Sequence, residues 1–340
     1  MVVTLKDIAR KTGKSVTTVS RALNDYGDVS AETKALVLSV ANELGYIPNT
    51  YAQRLQKRRT DTIGLIIPTI EPRFSDPFFS ELLAGIGNRA VHFGYDLLVS
   101  THAPDDEELV TYRAAIYGRR VDGFILVRIR RRDTRVEYLL EANFPFAAFG
   151  RAEDKLDFPF VDVDGSLGME LIVKHLASLG HTRIACIAPP LELMSAQYRL
   201  RGFEDGISGA GFTADDALIL VGDLTQRGGY EQASKLLDMP SPPTAIAACN
   251  DLMAFGAMSA AQDRGLVVGK DIAITGFDDI PMAEFSHPPL TTIYQPIYEI
   301  GGMVCEMLIR FIQGDTLEKK YVLLKPELIV RQSSKLPVTK

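Results

Sequence analysis

Apolar residues at the start of the chain recur every three or four positions, in three short bursts separated by turn signals. Leu5, Ile8 and Ala9 form the first stripe, Val16, Val19 and Leu23 the second, and Val37, Val40, Ala41 and Leu44 the third. Such spacing puts each set on one face of a helix. Gly13 permits a reversal between the first two helices, while Ser15 and Ser30 stand where an N-cap accepts a backbone N–H. Helices this short cannot bury their stripes alone, so the three must close over one another. The pattern predicts a helix-turn-helix whose second helix enters the DNA major groove.

From Thr62 the period changes. A continuous apolar run of strand length stands at 63–68, and mainly apolar ones follow at 95–100, 123–127 and 146–149, then at 184–188, 218–221, 245–249 and 272–275. Amphipathic stretches between them predict helices at 78–93, 107–119, 165–179, 195–208, 227–238 and 252–264. Strands apolar on both faces that alternate with helices imply parallel sheets, hence an α/β body of two doubly wound units. Ligands of such sheets bind outside the carboxyl ends of the strands. The polar residues at those ends are Arg151, Asp162, Asp164, Ser195, Arg199, Asn250, Asp251 and Asp278. Carboxylates and arginines in a small apolar-walled cleft suit a hydroxyl-rich ligand, because each can form charge-assisted hydrogen bonds. Glu71 to Pro77 reads as an inserted segment that rims the cleft.

Between head and body, residues 48–60 carry good helix formers after Pro48. Asn49 can cap a two-turn helix with Ala52 and Leu55 on one side. A helix of that length is marginal in water. It is expected to order only against a partner helix and DNA, packing through Ala52 and wedging Leu55 into a minor-groove step.

Net charge is −6 for the chain, which at first opposes a polyanion partner. The first sixty residues, however, hold ten Lys/Arg against five Asp/Glu, leaving 27 against 38 in the remainder. A basic head on an acidic body fits a protein that touches nucleic acid at one end. Cys186, Cys249 and Cys305 are scattered without a CxxC, as expected of reduced structural thiols in a cytosolic protein. No secretory pattern opens the sequence and no apolar run reaches the eighteen or so residues of a membrane span, so a cytoplasmic location is expected. Asp162-Val163-Asp164-Gly165 lacks the later ligands of a calcium loop, and the histidines form no metal spacing; neither metal nor cofactor is expected. Arg128, Arg130, Arg131 and Arg132 read as a solvated loop or part of an oligomer contact. No nucleophile or phosphate-loop motif is present, which argues against an enzyme. The tail after Arg331 shows no leucine heptads.

Residues 1–60 resemble the lactose/galactose repressor (LacI/GalR) family. The matching stretches are TLKDIARKTGKSVTTVSRALN from Thr4, VSAETK from Val29, LGYIPN from Leu44, and Ala52-x-x-Leu55. The likeness runs on through HLASLGH (175–181), RLRGF (199–203), ACNDLMAFGAM (248–258), ITGFDD (274–279) and PPLTTIYQP (288–296), to about residue 331. It implies a helix-turn-helix domain at 1–47, a hinge helix at 48–60 and a periplasmic-binding-protein-like (type I) two-lobed body. The N-lobe would comprise 61–162 and 292–321, the C-lobe 163–291 and 322–331, with a tail at 332–340 and crossings near 162–164, 290–292 and 321–323. Re-entry into the first lobe through a helix at 298–312 also comes from the resemblance.

The resemblance further implies an operator DNA partner read by Val16, Thr17 and Arg21. Thr4, Leu5, Ser15, Thr18, Asn24, Tyr46 and Asn49 complete the DNA face, and Ala52 and Leu55 act in the hinge. Arg199, Asn250 and Asp278 sit where the family contacts its effector, with Phe78, Phe79, Ser195 and Gln295 lining the same cleft. Leu224 replaces an aromatic that several members stack on the effector. That departure shifts the expectation from a planar purine to a sugar leaning on Phe78 or Phe79. The expected protein is a homodimeric, ligand-responsive repressor of carbohydrate-utilisation genes. Its rivals are a purine- or sugar-phosphate-responsive regulator of the same family, a sugar-processing enzyme with a DNA-binding head, and a solute-binding protein.

Overall fold

Helices α1 (Leu5–Thr12), α2 (Val16–Leu23) and α3 (Ala31–Leu44) build the first unit of the chain, Met1–Thr60. Their starts are fixed by short polar side chains. The Asp7 carboxylate accepts from the Thr4 N–H (2.9 Å) and hydroxyl (2.7 Å), Ser15 Oγ from the Thr18 N–H (3.0 Å), and Ser30 Oγ from the Thr33 N–H (3.3 Å). Gly13 and Gly45 close α1 and α3 at φ +67° and +64°, where a side chain is strained. Ile8, Val19 and Val37 are fully buried where the three apolar stripes meet.

The structure, a computed structural model, describes residues 3–46, 59–68, 76–102, 107–152, 156–213, 215 and 218–334. The expected hinge contacts Asn49, Ala52 and Leu55 lie outside these residues, as do 71–75 of the rimming segment.

The second unit, Asp61–Lys340, begins with β1 (Thr62–Pro68), α4 (Pro77–His92), β2 (Asp96–His102), α5 (Glu108–Tyr117) and β3 (Gly123–Leu126). α6 (Thr134–Glu141), β4 (Phe146–Phe149) and β5 (Phe160–Val163) complete that run. The next comprises α7 (Gly165–Ser178), β6 (Ile184–Ala188), α8 (Met194–Gly209), β7 (Ile219–Val221) and α9 (Gln226–Leu237). It continues through β8 (Ala245–Ala248), α10 (Asp251–Asp263), β9 (Ala273–Thr275) and α11 (Met282–Phe285). The chain then returns through β10 (Thr292–Tyr294), α12 (Ile297–Gln313), β11 (Tyr321–Leu324) and β12 (Glu327–Ile329).

Two parallel sheets result, as the doubled pattern of apolar runs predicts. The first has the order β11-β5-β4-β3-β1-β2 and the second β7-β6-β8-β9. Every residue of β3, β6, β8 and β9 is buried, the condition under which a strand reads as a continuous apolar run. One face of the first sheet packs on α4 and α12, the other on α5 and α6. α12 lies against α4 so closely that a Cβ on Gly85 would stand 2.0 Å from the Tyr298 carbonyl oxygen. Likewise, a Cβ on Gly202 of α8 would stand 2.0 Å from the Ser166 oxygen of α7.

The third crossing differs from the expectation of 321–323. Tyr321–Leu324 pairs in register with Phe160–Val163 as an edge strand of the first sheet. The chain therefore crosses after Leu324, to pair β12 antiparallel with β10.

Candidate functional site

The carboxyl ends of both sheets open on one cleft, which holds about 830 Å³ out to its mouth. Arg199, in the second turn of α8, dominates the second-lobe wall. Its Nη1 donates to the Cys249 carbonyl, its Nη2 lies 3.4 Å from Asp278 Oδ1, and its Cζ sits 3.8 Å over the Phe277 ring. Gln295 Nε2 donates to the same Asp278 oxygen at 2.6 Å. Burial pushes the Asp278 carboxyl well above the usual carboxylate range, with the Arg199 charge opposing the rise. Asn250 caps α10, its Oδ1 accepting the Met253 N–H at 3.0 Å, while its Nδ2 donates to the Leu224 carbonyl at 3.0 Å. The second bond holds Leu224 in the left-handed region at φ +71°.

The opposite wall carries Arg151, whose Cζ lies 4.0 Å over the Tyr198 ring and whose Nε is 3.6 Å from Asp162 Oδ2. Burial pushes the Asp162 carboxyl up to about 6, against the pull of Arg151 and the Val163 N–H. Phe78 stacks on Phe149, with centroids 5.7 Å apart and planes 12° apart. Two guanidinium nitrogens, Arg151 Nη1 and Arg199 Nε, are buried without a hydrogen-bond partner among the described residues. A buried unpaired donor costs about 1–3 kcal/mol, so both are poised to gain from a ligand oxygen.

Of the residues expected at the effector site, Phe78, Arg151, Asp162, Ser195, Arg199, Leu224, Asn250, Asp278 and Gln295 line the cleft. Two do not. Phe79 follows Phe78 on α4 and so points about 100° away, into the first-lobe core, edge-on to Phe78 and 2% exposed. Asp251 sits behind the cleft as a strut: Oδ1 accepts from Thr292 Oγ1 (2.6 Å) and Oδ2 from the Ile280 N–H (2.9 Å). Burial raises its carboxyl to about 7, against those two hydrogen bonds. Asp164, the remaining strand-end acid, caps α7 through the Leu167 N–H.

Asp76, in the segment expected to rim the cleft, lines it too, as do Arg128 and Tyr198, which were missed from the sequence. Asp76 caps α4 by accepting the Phe78 N–H at 3.1 Å, and Arg128 Nη2 lies 3.4 Å from its Oδ2. The first half of the arginine run is therefore no solvated loop, although Arg131 and Arg132 are exposed. Arg128 is in the cleft wall with its Cζ 5.0 Å over Phe79, and Arg130 pairs with buried Glu108 at 2.7 Å. Arg128 obeys the strand-end rule that found Arg151, standing just past β3. Three neighbouring arginines disguised it as a solvated charge run.

In the helix-turn-helix unit, Val16, Thr17 and Arg21 are exposed along α2. The Arg21 fork engages Asp28, with Nη2–Oδ2 at 2.5 Å and Nε–Oδ1 at 3.1 Å, and its Cζ lies 4.9 Å over Tyr26. Ser15 and Thr18 hydroxyls are 2.8 Å apart, and Asn24 Nδ2 donates to the Ser20 carbonyl. Thr4 is exposed, whereas Leu5 and Tyr46 are half-buried against the unit's core. Among the described residues, no cluster of His, Cys, Asp and Glu could hold a metal ion, and no helix is long and apolar enough to cross a membrane.

Residues 4–49 match the family model described as bacterial regulatory proteins, lacI family, and residues 173–334 match that of a periplasmic binding protein-like domain. The HTH-type transcriptional regulator DegA of Bacillus subtilis (strain 168) is 36% identical over 337 residues, covering 98% of each chain. The chain belongs to the LacI family. It is a DNA-binding transcriptional regulator, and its fold follows solved structures along nearly its whole length. One is the lac repressor dimer bound to operator and the anti-inducer ONPF, with a TM-score of 0.85 at 31% identity over 98% of this chain and 100% of that one. Another is the transcriptional regulator CelR–cellobiose complex, with a TM-score of 0.76 at 31% identity over 97% and 99%.

Proposed function

We propose that this LacI-family chain is a cytoplasmic, homodimeric repressor of carbohydrate-utilisation genes whose operator affinity is set by a neutral sugar in the interlobe cleft. The observation that carries this reading is the pairing of charge inside the cleft. Each of its arginines already faces a carboxylate: Arg128 with Asp76, Arg151 with Asp162, and Arg199 with Asp278. A phosphate would have to displace those carboxylates and suffer repulsion from them. Sugar hydroxyls carry no such penalty, since each can accept from an arginine and donate to a carboxylate. Phe78, stacked on Phe149, offers the apolar face of a sugar ring a surface to lie on. Leu224 leaves a flat purine without a second stacking face. That a similar protein is solved with cellobiose supports the same ligand class.

Calorimetry of the full chain against neutral mono- and disaccharides, sugar phosphates and purines tests the assignment. A neutral sugar is expected to bind and to weaken operator binding roughly 5–150-fold, an allosteric coupling of about 1–3 kcal/mol. Tight purine or sugar-phosphate binding overturns it. As a regulator's effector, the bound sugar should be recovered unchanged after incubation; its turnover would favour the sugar-processing reading instead.

Sugar affinity should fall as pH drops from 7 to 5. Asp162 titrates near 6, and its ionised form makes hydrogen bonds stronger by about 1 kcal/mol than its neutral form, roughly fivefold in affinity. Asp162→Asn should flatten the dependence. Stability moves the other way for this group. A folded-state value above the unfolded one means that the folded chain binds more protons between them, so the group's contribution improves as pH falls from 7 toward 4. Calorimetry and thermal melts at matched pH read both signs.

DNA recognition is assigned to α2. Arg21 can bond a guanine bidentately once it leaves Asp28, a contact worth about 1–3 kcal/mol of discrimination. In selection from random sites, Arg21→Ala is expected to relax preference at one G·C pair per half-site, and exchange of Val16 and Thr17 to alter it at neighbouring positions. An unchanged selected site for both variants contradicts the placement.

A further inference from the structure

A buried ion cluster in the first lobe lies outside the cleft lining, yet beyond its own pairing and the cap that Asp133 gives α6, its hydrogen bonds run to one cleft loop. Arg135, Asp133 and Glu108 are 0%, 1% and 2% exposed. Arg135 Nη2 and Nε reach the Asp133 oxygens at 2.6 and 2.9 Å, and Nη1 lies 3.4 Å from Glu108 Oε1. Charges so far from water are costly even when paired, and an apolar trio of similar volume is often at least as stable. Stability alone therefore explains the cluster poorly.

Its remaining bonds show what it holds. Arg135 Nη2 donates to the Arg128 carbonyl at 3.0 Å, and Asp133 Oδ2 accepts the Arg130 N–H at 3.0 Å, so the backbone is gripped on both sides of Ile129. Glu108 Oε2 takes the Arg130 guanidinium at 2.7 Å. Between these grips Arg128 adopts φ +53°, a left-handed conformation that a non-glycine residue keeps only when its surroundings over-determine it. That conformation sends the Arg128 side chain to Asp76 in the cleft wall. The same loop also reaches the other lobe. Ile129 carbonyl accepts the Met194 N–H and the Arg131 N–H donates to the Glu192 carbonyl, both at 2.8 Å, with Arg130 and Leu193 paired as an antiparallel bridge. Met194 begins α8, the helix that carries Ser195 and Arg199.

We infer that the Arg135–Asp133–Glu108 cluster is a clamp that fixes residues 128–131, and thereby both aims Arg128 at the effector and latches the two lobes across the cleft. Arg135 acts through Arg128 and is a positioning residue. The effector arm of the test rests on the sugar-binding reading, whereas the exchange arm needs no ligand.

The experiment compares the full-length wild type with Arg135→Lys and Asp133→Asn by amide hydrogen exchange and by sugar titration. Lysine keeps the charge but cannot bridge Asp133 and the Arg128 carbonyl together, and asparagine keeps the α6 cap while losing the ion pair. Exchange at Arg130, Arg131 and Met194 is expected to accelerate about tenfold or more in both variants, with β1 and β3 amides unchanged. Sugar affinity should fall by a similar factor, while operator affinity without sugar stays at the wild-type level. Wild-type exchange at those three amides, acceleration spread evenly over the first sheet, or failure of both variants to fold would each overturn the clamp. A wild type that binds no sugar, combined with the localised exchange change, sinks the sugar reading and leaves the clamp standing.

Discussion

Arg199→Met is expected to abolish the response to sugar and leave operator binding without sugar near the wild-type level. Arg199 supplies the charge that faces buried Asp278, and its Nε has no hydrogen-bond partner among the described residues. Each hydrogen bond between a charged group and ligand is worth about 1.5–3 kcal/mol, so losing the guanidinium should weaken sugar binding by about 10- to 150-fold. The Asp278 carboxyl, already raised by burial, should take up a proton when its partner is removed, which limits the damage to folding. Asp278→Asn is the companion, removing the acceptor charge while keeping the Gln295 contact possible. Calorimetry and gel shifts with and without sugar read the two effects separately. Undiminished sugar affinity in both variants would sink the assignment of the cleft.

Phe285→Asp should convert a dimer into monomers and cost about 10²–10⁴ in operator affinity. α11 presents Phe285 73% exposed and Met282 42% exposed, beside a groove that Phe255 and Met258 also line. An apolar patch of this kind on a LacI-family regulator is expected to meet a second copy of the chain. Two linked heads gain from effective concentration that one head lacks, which sets the size of the loss. A carboxylate in the patch would have to be desolvated against apolar neighbours. Sugar affinity should persist, since the cleft residues belong to one chain. Sedimentation gives the oligomeric state and gel shifts the affinity. A variant that remains dimeric with full operator affinity places the interface elsewhere.

Helices and strands were legible wherever the signal was local. Val19 and Leu23 could be read as one face because 3.6 residues make a turn, whereas Val16 of the same expected stripe is 41% exposed. Ile184–Ala188 could be read as a doubly covered strand because all five residues are apolar. Caps such as Ser15 and Ser30 need only a hydroxyl two or three residues before the amide it accepts from. For the same reason the cleft acids and arginines at strand ends could be named in advance. The parallel-sheet rule converts sequence position directly into proximity to the ligand.

Two errors at the cleft have a rotational cause. Phe78 and Phe79 are chemically the same, and only the angle of α4 against the first sheet decides that Phe78 meets the cleft while Phe79 enters the core. Asn250 and Asp251 divide in the same way at the start of α10, one turned to Leu224 and the other to Thr292 and Ile280. The allocation of Tyr321–Leu324 to the first sheet was likewise invisible, because its partner Phe160–Val163 lies some 160 residues earlier in the chain.

The sequence by itself determined the helix-turn-helix, the alternating α/β body, the basic head and the polar cleft residues Arg151, Asp162, Ser195, Arg199, Asn250 and Asp278, since each follows from periodicity, capping, charge or position after a strand. Only the tertiary structure decided which face of α4 and α10 meets the cleft, and that Arg128 belongs to the cleft wall rather than to solvent. The reason is that the bonds which turn Arg128 inward come from Arg135 and Asp133 on the next helix and from the opposite lobe. Contacts between elements depend on packing angles that no local pattern encodes.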